Sequence, residues 1–266
     1  MDLNQLKIVI RGAGEMASAC AWRLHMSHLT VVMTECEHPI AVRRRVSFCE
    51  AVLDGTAIVE GVVARRIDDS GLVRSLHAAG EIPLLIDPEL KSLSTIKPDV
   101  LVEATLSKRN IGVHRDLAPM VIALGPGFSA GSDVDLVIET NRGHNLGRVI
   151  TQGPAEPNTG VPGVIASETV KRVLRAPTDG ELVTELDLGA RVSVGQTVAT
   201  VSGIPIKAEL SGVLRGLIRP GTYVHRGLKV GDVDPRGALS YLDTISDKAR
   251  AVAGGVLEGI LRVYNC

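Results

Sequence analysis

The sequence predicts an α/β protein with a doubly wound sheet, followed by a small all-β module and a C-terminal helix. Three observations carry this prediction. A short apolar segment, a glycine-rich turn and a helical segment open the chain, as at the start of a βαβ unit. Segment 176–198 returns imperfectly as 208–230, with glycines and valines in place of helix-forming runs. Apolar residues then recur at helical spacing over 245–263.

The first turn carries a GxGxxA fingerprint between a predicted strand at 6–10 and a predicted helix at 19–26. Gly12 permits the tight turn, Gly14 lets the backbone approach a phosphate, and Ala17 allows close packing of helix on strand. Free amides at the helix start favour an anion. The fingerprint therefore predicts a Rossmann-like crevice that binds a dinucleotide or a related cofactor.

A second predicted strand at 30–35 ends in Glu35, about twenty residues past the glycines, where an acceptor for ribose hydroxyls is expected. Cys36 follows directly, which makes it a candidate reactive thiol beside the crevice. The four cysteines show no CxxC pairing, so we expect free thiols in a reducing compartment.

Further strands and intervening helices complete the predicted sheet, with strands at 56–63, 82–86, 99–104 and 120–124 and helices at 42–53 and 72–79. Ligands of such sheets lie at the carboxyl ends of the strands. Thr105 ends one strand, where its hydroxyl either meets the ligand or caps the following turn. The cofactor-binding candidates from this edge are Arg11, Gly12, Gly14, Glu15, Met16, Ala17, Glu35, Thr105, Gly125 and Gly127.

The middle of the chain has a glycine-rich segment at 124–131, whose amides are expected to form a concavity for an anion. An apolar strand then runs into the polar segment 142–148, in which Arg142 and His144 are further binding candidates. The basic triplet 43–45 is interpreted either as a phosphate contact or as a solvated helix face.

Composition excludes several function classes. Lys+Arg (29) nearly balance Asp+Glu (30), and aromatic residues make up only 2% of the chain, which argues against nucleic acid or an anionic membrane as a partner. No leader or membrane-spanning run is present, so a soluble, cytoplasmic protein is expected. No Walker A sequence, GxSxG elbow or metal-ligand spacing occurs, and no catalytic or metal-binding residue is assigned.

Motifs along the whole chain resemble one family: residues 11–17, 44–46 with Phe48, 123–128, 142–148, 162–163, 229–236 and 245–249. The chain resembles the YqeB family of accessory proteins of selenium-dependent molybdenum hydroxylase systems, whose Rossmann part is related to the XdhC chaperones of xanthine dehydrogenase. The resemblance implies a chaperone that binds molybdenum cofactor, as molybdopterin or its dinucleotide form, and serves a molybdenum hydroxylase apoenzyme. Where XdhC-type turns tend to carry His, this chain has Glu15.

The repeat module looks like a barrel-sandwich hybrid similar to biotinyl and lipoyl domains, with predicted domains at 1–165, 176–236 and 237–266. The tip between its halves carries Gly203 and Pro205, and Lys207 lies past it, so covalent biotin or lipoate is not expected. The module is instead expected to dock a partner or to support a homo-oligomer. Two alternatives stay open: an NAD(P)-dependent oxidoreductase with His144 or Lys108 as acid/base, and a noncatalytic scaffold.

Overall fold

The structure, a computed structural model, describes residues 3–160, 163, 166 and 168–265. It divides into two compact units, each built from discontinuous segments. The first unit comprises Met1–Pro39, Val46–Asn158 and Ile245–Cys266, and the second comprises Ile40–Arg45 and Thr159–Thr244.

The first unit contains a nine-stranded sheet and a separate two-stranded one. Its strands are β1 Lys7–Arg11, β2 Thr30–Glu35, β3 Thr56–Val59, β4 Val62–Ile67, β5 Ile82–Ile86, β6 Val100–Glu103, β7 Met120–Leu124, β8 Ser129–Ala130, β9 Leu136–Ile138, β10 Val149–Ile150 and β11 Gly153–Pro154. Its α-helices are α1 Glu15–Met26, α2 Glu50–Asp54, α3 Val73–Ala78, α4 Leu93–Ile96 and α5 Asp247–Tyr264. Short 3₁₀ turns occur at Leu3–Gln5, Arg44–Val46, Ser70–Leu72, Arg115–Leu117, Val170–Arg172 and Leu239–Tyr241.

The predicted doubly wound, Rossmann-like sheet is wrong as a fold class, because the large sheet is mixed. Its order is β10-β9-β7-β6-β1-β2-β5-β4-β3, with β10 and β3 antiparallel to their neighbours at the two edges. The connections do not alternate regularly with helices. Helices α2, α3 and α4 have only five, six and four residues, too few to cover a sheet face, and β6 reaches β7 through a loop with a single 3₁₀ turn.

One cause of the error is a hairpin inside the predicted strand 56–63. Glu60 and Gly61, with φ of 43° and 83°, turn the chain between β3 and β4. Two consecutive positive φ values are typical of a two-residue hairpin, which usually carries Asn-Gly or Asp-Gly. Because glutamate is unusual in the first position of such a turn, the sequence did not indicate a hairpin here. The predicted strand 56–63 therefore did not separate the antiparallel edge strand β3 from β4.

The predicted helices also need correction. The predicted helix at 42–53 is a 3₁₀ turn at Arg44–Val46 followed by the short α2, whereas α3 lies within the predicted helix at 72–79. Residues 168–175, which look helical in sequence, contain a 3₁₀ turn and a strand. Ser167, where that predicted helix begins, and Pro162 of the family motifs lie outside the described residues.

The second unit consists of two four-stranded antiparallel sheets, β12-β19-β17-β14 and β16-β15-β13-β18. Its strands are β12 Val173–Arg175, β13 Gly180–Val183, β14 Arg191–Val192, β15 Thr197–Val201, β16 Ile204–Lys207, β17 Gly212–Leu217, β18 Tyr223–Val224 and β19 Lys229–Asp234. The sequence repeat is visible, since β13, β14 and β15 each begin 32 residues before β17, β18 and β19. Buried Val and Leu side chains of both halves form one core.

The likeness to biotinyl and lipoyl domains is not supported. The turn between β15 and β16 consists of Ser202 and Gly203, both with positive φ. The fold class is corrected to a mixed-sheet unit together with a unit of antiparallel sheets.

Helix α5 belongs to the first unit, where it packs on α1. The Ser246 side chain accepts a hydrogen bond from the Ala249 amide and caps the helix start. The lack of a side chain at Gly255 lets α5 pack closely on the loop at Gly147. A Cβ atom at Gly255 would lie 2.2 Å from the Gly147 oxygen. Within the described residues, no helix combines the length and apolar character of a membrane span.

Candidate functional site

Carboxylates lie at or just after the carboxyl ends of four parallel strands of the large sheet. These strand-end carboxylates are Glu35 (β2), Asp87 (after β5), Glu103 (β6) and Glu139 (after β9). Glu103 and Glu139 are each 1% exposed and Asp87 is 9% exposed. A buried carboxylate needs hydrogen-bond donors, so the partners of each group decide what this edge of the sheet can bind.

The Glu35 carboxylate is hydrogen-bonded to the backbone of the glycine turn. One carboxylate oxygen accepts the Ala13 amide at 2.7 Å, and the other accepts the Cys36 amide at 2.8 Å. The predicted acceptor for ribose hydroxyls is thus already bound to the backbone that was expected to hold a phosphate. Burial, followed by the charge and hydrogen bond of Glu35, raises the pKa of the Cys36 thiol to about 11. A raised pKa keeps the thiol protonated and less reactive.

Glu103 organises the ends of β1 and β6. Its carboxylate pairs with the Arg11 guanidinium at 3.1 Å and accepts both the amide and the hydroxyl of Thr105, at 3.0 and 2.5 Å. Arg11 also donates to the carbonyl oxygens of Pro88 and Ile111. The Thr105 hydroxyl thus points back to the carboxylate at the end of its own strand, and both interpretations of Thr105 stay predictions.

The start of α1 is held firmly yet has no side-chain cap. Gly12 has φ of 96°, and a Cβ there would lie 3.2 Å from the Thr105 backbone, so only glycine fits. Gly14 has φ of −70°, and no described heavy atom lies within 4 Å of its Cβ position. Gly14 and Glu15 are partly exposed, whereas Met16 and Ala17 are buried.

Two loops meet beside this turn. The Cβ position of Gly127 would lie 2.6 Å from the Arg109 nitrogen, so loop 125–128 packs on loop 105–110, and the Cβ position of Gly125 would clash with the Thr140 hydroxyl. Lys108 has a left-handed backbone, with φ of 64°. Desolvation lowers the pKa of the Lys108 ammonium, and the charge of Glu139 partly offsets this.

Side chains of the polar segment 142–148 bind other parts of the chain, and they do not meet at the carboxyl edge of the large sheet. Arg142 forms a bidentate ion pair with Asp247 at the start of α5, at 2.5 and 2.9 Å. Asn141 and Asn145 both donate to Glu156. His144 is exposed, and no described contact brings it to the α1 turn.

The basic triplet is not part of an α-helix, and each of its arginines has an internal partner. Arg43 donates to the carbonyl oxygens of Tyr241 and Thr244, and Arg44 donates to that of Leu217. Arg45 pairs with Asp243. Across residues 3–160, 163, 166 and 168–265, no group of three His, Cys, Asp or Glu side chains is arranged to hold a metal ion.

Comparison with known proteins gives a relative that matches nearly the whole chain. The chain is 47% identical over 258 residues to "Uncharacterized protein YqeB" of Escherichia coli (strain K12), which covers 97% of this chain and 48% of that protein. The chain thus spans about half the length of the curated relative it matches. This supports the predicted family name, and nothing in that description supports molybdenum or selenium. No family model matches.

Solved structures match only distantly. An aspartoacylase family protein of Mesorhizobium loti has a TM-score of 0.28, with 13% identity over 86% of this chain and 84% of that one. A succinylglutamate desuccinylase of Silicibacter sp. TM1040 has 0.26, with 12% identity and the same coverages. The product-bound ectoine utilization protein EutE of Ruegeria pomeroyi has 0.25, with 14% identity over 80% and 61%. Such TM-scores carry no argument about activity.

The predicted function, a chaperone that binds its cofactor in a Rossmann-like crevice, is corrected because the fold that this crevice requires is absent: the large sheet is mixed, with antiparallel strands at both edges. In the site itself, two predicted cofactor-binding residues already have internal partners: the Glu35 carboxylate accepts the Ala13 amide, and the Arg11 guanidinium donates to Glu103. The individual ligands, molybdenum cofactor or NAD(P), and the hydroxylase partner are not tested by this geometry and stay predictions.

Proposed function

Because this chain is a homologue of YqeB, whose own role is not described, we propose its function from the site geometry alone: it binds a small organic anion, a carboxylate or a simple phosphate monoester, at the start of α1. The observation that supports this most is the start of α1 at Gly14, which supplies no side-chain cap and whose Cβ position has no described heavy atom within 4 Å. Helix starts present unpaired amides and a positive dipole end.

The carboxylates at this edge are held by internal donors. Glu35, Glu103 and Glu139 all accept hydrogen bonds from backbone amides, and the Arg11 guanidinium balances the charge of Glu103. The N-cap residue of α1 is Gly14, which has no side chain to cap the first turn.

Loop 105–110 carries the cationic side chain of Lys108 and has two residues in a strained backbone conformation. Leu106 and Lys108 both have left-handed backbone conformations, which cost energy in residues other than glycine. Asn110 stabilises this loop through hydrogen bonds with Gly112 and Val113. We place the Lys108 ammonium at the rim of the anion site, where its charge complements the ligand.

The test is a titration of the full chain with inorganic phosphate, a simple phosphate monoester and a C4 dicarboxylate, followed by amide chemical shifts and calorimetry. Saturable shifts are expected at Gly14 and Glu15. Gly14→Val keeps an allowed backbone conformation, since φ is −70° and ψ is −177°, but its side chain covers the amides. Affinity is expected to fall at least about tenfold, or about 1.4 kcal/mol, with an unchanged unfolding midpoint.

Matched controls separate this site from general effects. Gly254→Val adds the same side chain at another glycine with open space around its Cβ position and is expected to leave affinity unchanged. Lys108→Gln is expected to weaken binding, and Lys91→Gln, at an exposed lysine paired with Glu89, is not. Undiminished affinity in Gly14→Val contradicts the site, and silence with all three probes contradicts the function and supports a scaffold.

A further inference from the structure

One edge of the large sheet carries backbone groups that point away from the sheet. Strand β3 is the last strand on this side and pairs only with β4. Along an antiparallel pair, successive residues direct their N–H and C=O groups alternately toward the partner strand and away from it. Just before β3, the Arg66 amide donates to the Gly55 oxygen at 2.9 Å. Every second residue from Gly55 onward therefore faces β4, and Thr56 and Ile58 direct their backbone groups outward.

These outward groups are open to a partner strand. In the ranges that the structure describes, the backbone groups of Thr56 and Ile58 have no hydrogen-bond partner, and the Ile58 residue is 65% exposed. Edge strands of soluble proteins are commonly protected by a charged residue, a proline or a bulge. Residues 56–59 include neither a charge nor a proline, and their register with β4 is continuous. Strand β3 therefore lacks these protections.

The hairpin that carries this edge is held in place on both strands. At its tip, the Glu60 oxygen accepts the Trp22 indole N–H at 3.4 Å, and the Glu60 carboxylate binds Arg250 at 2.6 and 2.8 Å. On β4, the Arg65 guanidinium binds Glu81 at 2.5 and 2.8 Å. A preformed strand loses little conformational entropy when another strand adds to it.

The outward groups are arranged symmetrically about Ala57. When two β3 strands pair across a twofold axis at Ala57, Thr56 of each copy lies opposite Ile58 of the other, and every outward donor and acceptor is used. A register centred on Ile58 would instead need Glu60, which has a φ of 43° and belongs to the turn. A register centred on Thr56 would need Asp54, which ends α2. The register at Ala57 uses strand residues alone.

We infer that β3 joins two copies of this chain, as an antiparallel pair across a twofold axis at Ala57. Residues 55–59 carry no charge, so the two copies do not repel each other along the paired segment. The Ile58 side chain of one copy packs against the Thr56 methyl group of the other and so covers apolar surface that a single copy exposes. One short strand buries little area, so the dimer is expected to be weak and dependent on protein concentration. The inference is independent of the anion site at the start of α1.

Disulfide cross-linking of the full chain tests the register. The two Ala57 residues form a non-hydrogen-bonded pair, whose Cα atoms are about 4.5 Å apart, within the span of a disulfide. Ala57→Cys is therefore expected to give a covalent dimer on oxidation, seen on a non-reducing gel and by intact mass. Ile58→Cys alone is expected to stay uncross-linked, whereas a mixture of Thr56→Cys and Ile58→Cys is expected to cross-link. The natural sequence is the control for its own cysteines.

Sedimentation velocity over a range of protein concentrations tests the association itself. The natural sequence is expected to show a dimer that grows with concentration, and Ile58→Lys, which places a charge on the edge, is expected to weaken association at least about tenfold. Leu72→Lys, at another exposed leucine position of the same unit, is expected to leave association unchanged. A monomer at every concentration overturns the inference and favours a strand of another protein at this edge. Undiminished association of Ile58→Lys overturns it as well, as does cross-linking of Ile58→Cys alone that equals that of Ala57→Cys.

Discussion

The Glu35 carboxylate lies 2.7 Å from the Ala13 backbone nitrogen, so the acid that ends β2 closes the turn that precedes α1. In the sequence, these two features predicted two halves of a nucleotide site. In the structure, one hydrogen bond joins them, and one residue further along the turn the Cβ position of Gly14 has no described heavy atom within 4 Å. The residues that were predicted to bind a nucleotide are present, but the Glu35 carboxylate binds the Ala13 amide of the turn.

Glu35→Gln is expected to destabilise the turn. Glutamine has one acceptor oxygen, so its amide group would face either the Ala13 or the Cys36 amide and leave a donor unsatisfied, at a cost of about 1–3 kcal/mol. The pKa of the Cys36 thiol, raised to about 11 by burial and then by Glu35, is expected to fall toward its usual 9.0. Urea unfolding followed by fluorescence of Trp22, the single tryptophan, measures the first effect. Thiol reactivity against pH measures the second.

Glu37→Gln, at an exposed position two residues away, serves as the control. It removes the same charge without touching the turn, and its unfolding midpoint is expected to stay within about 0.5 kcal/mol. If both variants behave alike, Glu35 does not organise the turn.

The sequence predicted many strands because their signals are local. The predicted segments at 30–35, 82–86 and 120–124 coincide with β2, β5 and β7, all apolar runs between turn residues. The repeat likewise predicted equivalent strands in both halves of the second unit, since its glycines mark turns. Local chemistry was sufficient there.

The site could not be predicted in the same way, because it depends on which donor meets which acceptor. Arg142 looks like a ligand for a phosphate in sequence, and only the folded chain brings Asp247, 105 residues away, against it. Similarly, Glu103 is an apolar-strand residue with no motif of its own, yet it binds Arg11 and Thr105. Long-range pairing of this kind has no signal in the spacing of residues.

The hairpin tip at Glu60 is expected to be coupled to α5. Its carboxylate accepts Arg250 at 2.6 and 2.8 Å and the Ile245 amide at 2.8 Å, and Arg250 lies 5.4 Å from the centre of the Trp22 ring. Arg250→Met and Glu60→Gln are each expected to destabilise the protein, with a coupling energy of about 0.5–2 kcal/mol in a double-mutant cycle. Purely additive effects would show that the pair contributes nothing to stability. Urea midpoints and Trp22 emission provide the measurement.

The free energy of unfolding is expected to decrease as the pH is lowered, because His77 is buried. Burial lowers the pKa of this imidazole below its usual 6.5, although its hydrogen bond to the Val31 oxygen acts in the opposite direction. The unfolded chain therefore binds a proton more readily than the native one below about pH 6.5, and the free energy of unfolding decreases as pH drops. Between about pH 7.5 and about pH 5.5, His77→Gln is expected to lose less stability than the natural sequence. His114→Gln, at an exposed histidine, is expected to change nothing, and equal pH slopes for all three proteins would exclude His77.

Asp232 in the second unit is expected to be indispensable. It is fully buried on β19 and accepts hydrogen bonds from Arg172 and, at 2.5 and 3.0 Å, from Arg215. Asp232→Asn leaves two buried guanidinium groups facing a neutral amide, which is expected to cost about 3–5 kcal/mol. Asp243→Asn removes an exposed partner of Arg45 and is expected to cost less than about 1 kcal/mol. Circular dichroism in urea compares them, and similar losses would show that the buried network is not stabilising.

Two adjacent glycines of α5 are expected to respond in opposite directions to the same methyl group. At Gly255 a Cβ would lie 2.2 Å from the Gly147 oxygen and 2.8 Å from Ile138 Cγ2, so Gly255→Ala forces the helix away from the loop and is expected to cost about 1–3 kcal/mol. At Gly254 nothing described lies within 4 Å, and Gly254→Ala is expected to stabilise by up to about 1 kcal/mol through helix propensity. Trp22 fluorescence in urea reports both, because α1 packs on α5. A stabilising Gly255→Ala would mean that α5 does not approach Gly147 this closely in solution.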